Sequence, residues 1–239
     1  MVLAATVSMA GRAVAGTIYW DAGSGSGILA PTSTVGVAGT ITAGDMSRGN
    51  NQGSESLNNS TSASSGYSFD LNGTTTAASG RFNFGADTLV GATLDIATST
   101  YFSFTITPDA GTNFEITSIG FGSRSTTNGP QAWTLRSSAD SFATDLVVPG
   151  TLSNNSTWNY ATAAFTSPFS ASAATEFRLY GYAVDGPQSF VSNTWRIDDV
   201  QVQVVPEPTA LVMFAAGAAC LAGRRRLRRR PVAKGRSAA

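Results

Sequence analysis

Seven residues, Tyr101-Phe-Ser-Phe-Thr-Ile-Thr107, restrict the fold more than any other stretch of the chain. Phe102, Phe104 and Ile106 fall on one side of an extended backbone, and Ser103, Thr105 and Thr107 on the other, the period of two that a half-buried strand requires. Pro108-Asp-Ala-Gly111 supplies a turn. In the next segment, Phe114-Glu-Ile-Thr-Ser-Ile-Gly-Phe121, the apolar positions pass from even to odd, and a slip of one residue within a strand predicts a β-bulge. Trp133–Ser137, Trp158–Tyr160 and Glu176–Tyr182 read as further short strands. In Asn193–Val204, Trp195 and Ile197 lie on one parity and Val200, Val202 and Val204 on the other, so a second bulge is expected at Asp198-Asp199.

Upstream the pattern is thinner. Thr17-Ile-Tyr-Trp-Asp21 reads as the opening strand, with short strand candidates at Gly36–Thr42 and Tyr67–Leu71 in a stretch dominated by Gly, Ser, Thr, Asn and Ala. Asn50–Ser65 is expected to be a mobile polar loop. Many short alternating strands, separated by turn residues, predict an all-β fold: an antiparallel, jelly-roll-like β-sandwich over residues 16–204. Trp133, Trp158 and Trp195 are expected in its core.

The C-terminal end is of a different kind. Val205-Pro206-Glu207-Pro208 leads into an apolar run, Thr209–Gly223, and then into Arg224, Arg225, Arg226, Arg228, Arg229 and Arg230. Prolines set an extended entry to the run, which is expected to be one short transmembrane helix. Its fifteen residues reach about 22 Å, less than a bilayer core of about 30 Å, and snorkelling arginines extend its reach and hold its C-terminal end on the cytoplasmic side. A core helix followed by a solvated basic tail is the alternative. Residues 231–239 are expected to be a disordered tail.

This order of parts resembles the PEP-CTERM sorting signal of Gram-negative bacteria. The resemblance implies Pro206, Glu207 and Pro208 as the sorting motif, Thr209–Gly223 as the helix and the arginines as the stop signal. It also implies an exosortase, a membrane-embedded cysteine peptidase, as the partner that removes or exchanges the tail. One departure is the presence of Pro231–Ala239 beyond the basic cluster. At the other end, Ala13-Val14-Ala15 is an A-x-A pattern of the kind signal peptidase cuts, after the apolar Val2–Ala10. No basic segment precedes it, so residues 1–15 read as a truncated signal peptide whose true start lies upstream. A first strand or a loose terminus is the alternative.

Charge and composition narrow the chemistry. Residues 1–223 carry seven Arg, no Lys and fifteen acids, a net of −8, while eight basic residues sit in the tail. An acidic body without clustered basic residues is a poor nucleic-acid binder. The chain has no His and a single Cys, Cys220. This excludes Ser-His-Asp and Cys-His nucleophiles, internal disulfides and zinc sites of the usual kind.

Two constellations remain. The stretch Tyr101–Val204 resembles a domain common in secreted and PEP-CTERM bacterial proteins. The likeness is carried by Ser123-Arg-Ser125, Trp133–Ser138, Phe177–Tyr182 and Trp195-Arg-Ile-Asp-Asp-Val200, the last like the closing strand of carbohydrate-binding jelly rolls. That resemblance implies a structural calcium at Asp198 and Asp199 against the first strand, with Asp21 as companion; six to eight oxygens are needed, and carboxylates and backbone carbonyls supply them. Aspartates bonded to backbone amides or facing water are the alternative. In the second constellation Arg178, Tyr180 and Tyr182 oppose the inward Phe177 and Leu179, and aromatic rings beside a guanidinium suit a sugar. Burial on both faces is the alternative there.

The expected protein is therefore a non-enzymatic, exported cell-surface or matrix protein with a structural or adhesive role associated with exopolysaccharide. It is expected to pass through Sec export machinery, to be anchored transiently in the inner membrane with its N-terminus outside, and to reach the envelope or the exterior. A carbohydrate-binding module of the same fold is the alternative, and a glycoside hydrolase built on paired carboxylates is the third reading.

Overall fold

Alternation of apolar and polar residues places the strands of this computed structural model, which describes residues 15–23, 25–37, 41–88, 91–182 and 193–206. The helix expected at Thr209–Gly223, the arginine cluster, the tail at 231–239 and all of the expected leader but Ala15 lie outside these residues. Among the described residues no helix is long and apolar enough to cross a membrane.

The first strands are short: β1 (Gly16–Trp20), β2 (Ser33–Val35), β3 (Ile41–Ala43), β4 (Ser47–Gly49) and β5 (Asn58–Asn59). A hairpin, β6 (Ser68–Leu71) and β7 (Thr74–Ala77), precedes β8 (Asn83–Asp87), β9 (Tyr101–Pro108) and the long β10 (Phe114–Ser125). Then come β11 (Ala132–Ser137), β12 (Gly150–Thr151), β13 (Asn159–Ala171), β14 (Thr175–Tyr182) and β15 (Thr194–Pro206). One antiparallel sheet runs β13-β10-β15-β1-β2, with β8 also on β15 and β5 on β8. The second runs β12-β11-β14-β9-β3, with β4 also on β9.

The two sheets face each other across one apolar core. Ile18, Trp20, Phe121, Trp195, Val200, Val202 and Val204 from the first meet Phe102, Phe104, Trp133, Phe177 and Leu179 from the second. Rings cross the interface edge to face, Phe121 on Trp133 at 4.8 Å and 85°, Phe102 on Trp195 at 5.0 Å and 63°. Burying each such side chain contributes about 1.5–3 kcal/mol, which is why the odd–even pattern of Tyr101–Thr107 decides the face. Trp133, Trp158 and Trp195 are all buried, as expected.

Both bulges are present. The register of β10 shifts between Ile116 and Ser118 against both neighbours, and that of β10 on β15 shifts again between Gly120 and Gly122, opposite Asp198–Gln201. This second bulge has a further cause in topology. Thr194–Ile197 of β15 pair with β8, whereas Val200–Val204 pair with β1, so Asp198 and Asp199 lie where β15 changes partner.

Three expectations need correction. Of the candidate strand at Gly36–Thr42, Gly36 and Val37 form a turn after a strand at Ser33–Val35, Ile41 and Thr42 belong to a strand that runs to Ala43, and residues 38–40 lie outside the described residues. The strand expected at Trp158–Tyr160 runs instead from Asn159 to Ala171, its core face alternating Ala161, Ala163, Phe165, Phe169 and Ala171 with exposed residues and broken by Ser167. The expected mobile loop Asn50–Ser65 is anchored: Asn58 and Asn59 pair with Phe84 and Asn83, Glu55 reaches Arg196, and Ser64 is buried against Asp198. Polar side chains here serve buried charges, which hydropathy alone does not reveal.

The hairpin β6–β7 turns at Asn72-Gly73, both with positive φ (55° and 80°), as a two-residue turn of the Asn-Gly kind requires. It covers the outer face of the first sheet through Phe69, whose ring lies 5.9 Å from Tyr19 and 5.5 Å from Tyr160.

Candidate functional site

β1 delivers Asp21 one residue beyond its last paired position, and the β15 bulge delivers Asp198 and Asp199 beside it. Consecutive side chains of a regular strand point to opposite faces, so two adjacent aspartates would normally separate. Asp199 instead has φ of 50°, a left-handed conformation that Asp tolerates better than most residues. In consequence one carboxylate oxygen from each of Asp21, Asp198 and Asp199 lies within 4.8 Å of the others.

Each carboxylate is oriented. Asp21 Oδ1 accepts from the Gly23 amide at 2.6 Å. Asp198 Oδ1 accepts from the amides of Ala22 (3.2 Å) and Asp199 (3.0 Å), and its Oδ2 accepts from the Ser64 hydroxyl. Asp199 accepts two phenols, Tyr19 on Oδ1 and Tyr67 on Oδ2, the latter at 2.6 Å. Room for these phenols comes from glycine: a Cβ on Gly122 would fall 2.0 Å from Tyr67 Oη. Gly122→Ala is expected to push Tyr67 off Asp199 and lower stability by about 1–3 kcal/mol in urea unfolding. An unchanged transition would show that Tyr67 is not held there.

Asp198 is fully buried and Asp199 nearly so, and the ion pairs among the described residues (Arg136–Asp145, Arg178–Glu176, Arg196–Glu55) leave these aspartates without a cationic side chain. Burial, then the neighbouring Asp199 charge, pushes Asp198 up to about 8. Burial pushes Asp199 up to about 6 against the lowering effect of the two phenols, and burial raises Asp21 as well. The phenols of Tyr19 and Tyr67 are raised by burial and by the Asp199 charge. Because Asp198 and Asp199 hold protons in the folded chain at pH values where the unfolded chain has released them, the stability they contribute is present near pH 4 and lost as pH rises through about 6 and then 8. Chelator-treated protein is therefore expected to unfold at lower temperature at pH 8.5 than at pH 5, by calorimetry. A midpoint that climbs across this window would contradict the burial of these groups.

The donor set fits a hard cation. Carboxylate oxygens this close to one another can share one hard cation, and calcium, which takes six to eight oxygens at about 2.3–2.6 Å in flexible geometry, accepts such a set. Three carboxylates supply three to six of the six to eight oxygens calcium needs. Asp21, Asp198 and Asp199 are thus brought together as the sequence suggested. Tyr19, Tyr67 and Ser64, which orient two of them, were not anticipated; the available signal was that Tyr19 stands on the parity opposite Ile18 and Trp20.

The second constellation is placed differently. Tyr180 is fully buried, its ring 5.2 Å from that of Tyr101 on the adjoining strand, so burial on both faces holds at this position. The Arg178 guanidinium lies 4.3 Å from the Tyr101 ring and 3.8 Å from that of Phe142, and it is paired with Glu176 at 2.8 Å. Tyr182 is half-buried. An open platform of Arg178, Tyr180 and Tyr182 is therefore corrected to a packed stack, because β9 and the segment after β11 supply rings that cover that face.

Pro206 is the last described residue, still paired with Phe114 in β15; Glu207 and Pro208 lie outside the described residues, as do Arg224–Arg230. Residues 204–226 match the PEP-CTERM protein-sorting motif. No curated protein matches the chain. Among solved structures, the K1 cleaved adhesin domain of Lys-gingipain from Porphyromonas gingivalis W83 is similar at 12% identity and a TM-score of 0.37, over 69% of this chain and 98% of that one. The K3 cleaved adhesin domain of the same protein gives 13% and 0.30, over 54% and 79%. The family 11 carbohydrate-binding module of the Clostridium thermocellum cellulase Lic26A-Cel5E gives 10% and 0.28, over 68% and 85%. Likenesses this distant carry no functional inference.

Proposed function

With a sorting motif at residues 204–226, the chain is a PEP-CTERM protein, and from that premise we propose an exported structural or adhesive unit of the cell envelope or its surrounding exopolysaccharide. The motif implies processing by an exosortase and a location in the envelope or outside the cell. On this reading Sec machinery exports the chain, the inner membrane holds it briefly by its C-terminal end, and the β-sandwich is what remains at the surface. It performs no catalysis. Calcium at Asp21, Asp198 and Asp199 ties the first strand to the last.

The observation that carries this reading is the continuity of address and body. Val204, Val205 and Pro206 belong both to the sorting motif and to β15, paired with Ile116, Glu115 and Phe114. Asp198 and Asp199 lie on that same strand, Asp198 six residues before the motif. A peptidase acting on the motif therefore releases a body whose final strand is already fixed.

Mass spectrometry of protein recovered from the producing cells tests the proposal. The mature form is expected to lack Arg224 onward and to co-fractionate with envelope or matrix polysaccharide. An intact chain with its arginines, free in the cytosol, would reject both processing and location.

A further inference from the structure

The outer face of the first sheet holds a cleft that the aspartate site does not use. It has a volume of about 270 Å³ and opens between the β6–β7 hairpin and strands β10, β13 and β15. Gly120 forms part of its floor, where a Cβ would stand 2.3 Å from Tyr160 Oη. The missing side chain is what lets the Tyr160 phenol lie against the floor. Tyr160 bounds it, its ring held by stacking on Phe69 (5.5 Å, 18°) and on Tyr67 (5.9 Å, 23°). Ser118, Ile119, Thr162, Gln201, Gln203 and Asp70 complete the lining.

Two features point to a ligand and to its chemistry. Gln201 is only 4% exposed, yet its Nε2 makes no hydrogen bond of full geometry and acts only loosely on the Tyr160 hydroxyl beside it, whereas Gln203 beyond it accepts from the Thr17 hydroxyl at 3.2 Å. A buried amide is ordinarily satisfied, so a donor left short of a full hydrogen bond at a cleft marks a place where a ligand oxygen completes the set. The second feature is the character of the lining: two amides, three hydroxyls and one carboxylate, with no basic residue. Amides and carboxylates pair with vicinal hydroxyls, while the absence of Lys and Arg gives nothing to hold a phosphate, sulfate or uronate. The volume lies just below the roughly 300–1,000 Å³ of pockets for drug-sized molecules, which suits a single sugar ring.

We propose that this cleft binds one residue of a neutral, hydroxyl-rich saccharide, with Gln201 as its deepest donor and Gln203, Thr162 and Asp70 at its mouth. The site is separate from the aspartate cluster and from the Arg178 stack, and its binding does not depend on a cation at the former.

The full chain in detergent micelles, titrated calorimetrically with neutral oligosaccharides (gluco-, manno- and galacto-series) and with oligouronates as the acidic set, tests this. Binding of at least one neutral series is expected, with none to the uronates. Gln201→Leu is expected to weaken it about tenfold without lowering the unfolding midpoint, since it removes a buried donor that makes no well-formed hydrogen bond. Thr162→Trp, on the exposed edge strand, is expected to abolish binding by filling the recess, again with the midpoint kept. Failure of every neutral series to bind at millimolar concentration, binding of uronates alone, or neutral binding untouched by Thr162→Trp would each overturn the proposal. Because calcium is read out by stability and the saccharide by titration, the loss of either leaves the other standing.

Discussion

Calcium is expected to raise the unfolding midpoint of the full chain by about 5–10 °C at a hundredfold excess over its dissociation constant, and a chelator is expected to reverse the rise. The magnitude follows from linkage: an ion bound only by the folded state adds about 2.7 kcal/mol at that excess, and a domain of this size gains about 2–4 °C per kcal/mol. Such an ion would relieve a specific conflict, the proximity of three carboxylates of which Asp198 and Asp199 are buried. Asp198→Asn is expected to remove most of the calcium response while costing the calcium-free protein little, since a neutral amide stands where a protonated carboxyl stood. Asp145→Asn, remote from the cluster, should leave the response intact. A midpoint indifferent to calcium and chelator would remove the ion from the account.

The other large effect is expected at Glu55. Its carboxylate meets Arg196 at 2.5 Å, with the two side chains 15% and 8% exposed, and its charge also acts on Arg48 and Arg124. Removing one partner of a buried ion pair strands the other, at about 3–5 kcal/mol. Glu55→Ala should therefore lower the midpoint by roughly 6–20 °C. Arg196→Met in the same chain should recover most of that loss, because the cost lies in the stranded charge and not in the pair itself. If the double variant is as unstable as the sum of the single ones, Glu55 and Arg196 are not coupled in the folded state.

These two sites differ in how far the sequence disclosed them. The bulge at Asp198-Asp199 was legible because the apolar parity of Asn193–Val204 slips by one there, and the resemblance to carbohydrate-binding jelly rolls added Asp21 as its companion. Glu55 was not, since its partner lies 141 positions away and the segment around it reads as polar loop. The sandwich itself followed from strands such as Tyr101–Thr107, whose large apolar residues declare a face. β13 declares its face only weakly, because Phe165 and Phe169 share it with the small Ala161, Ala163 and Ala171 and with the exposed Ser167. Tyr180 misled for the converse reason: an aromatic on the face opposite the core looks open until Tyr101, 79 positions earlier, is known to lie against it.

β15 is an interior strand, bonded on one side to β10 and on the other to β8 and then β1. Tension entering through its C-terminal end runs along the strand axis, so it must slide many ladder hydrogen bonds at once instead of peeling them singly. The strand that carries the start of the sorting motif is thus bonded along both edges into the sheet, so a pull on that end is shared by two ladders.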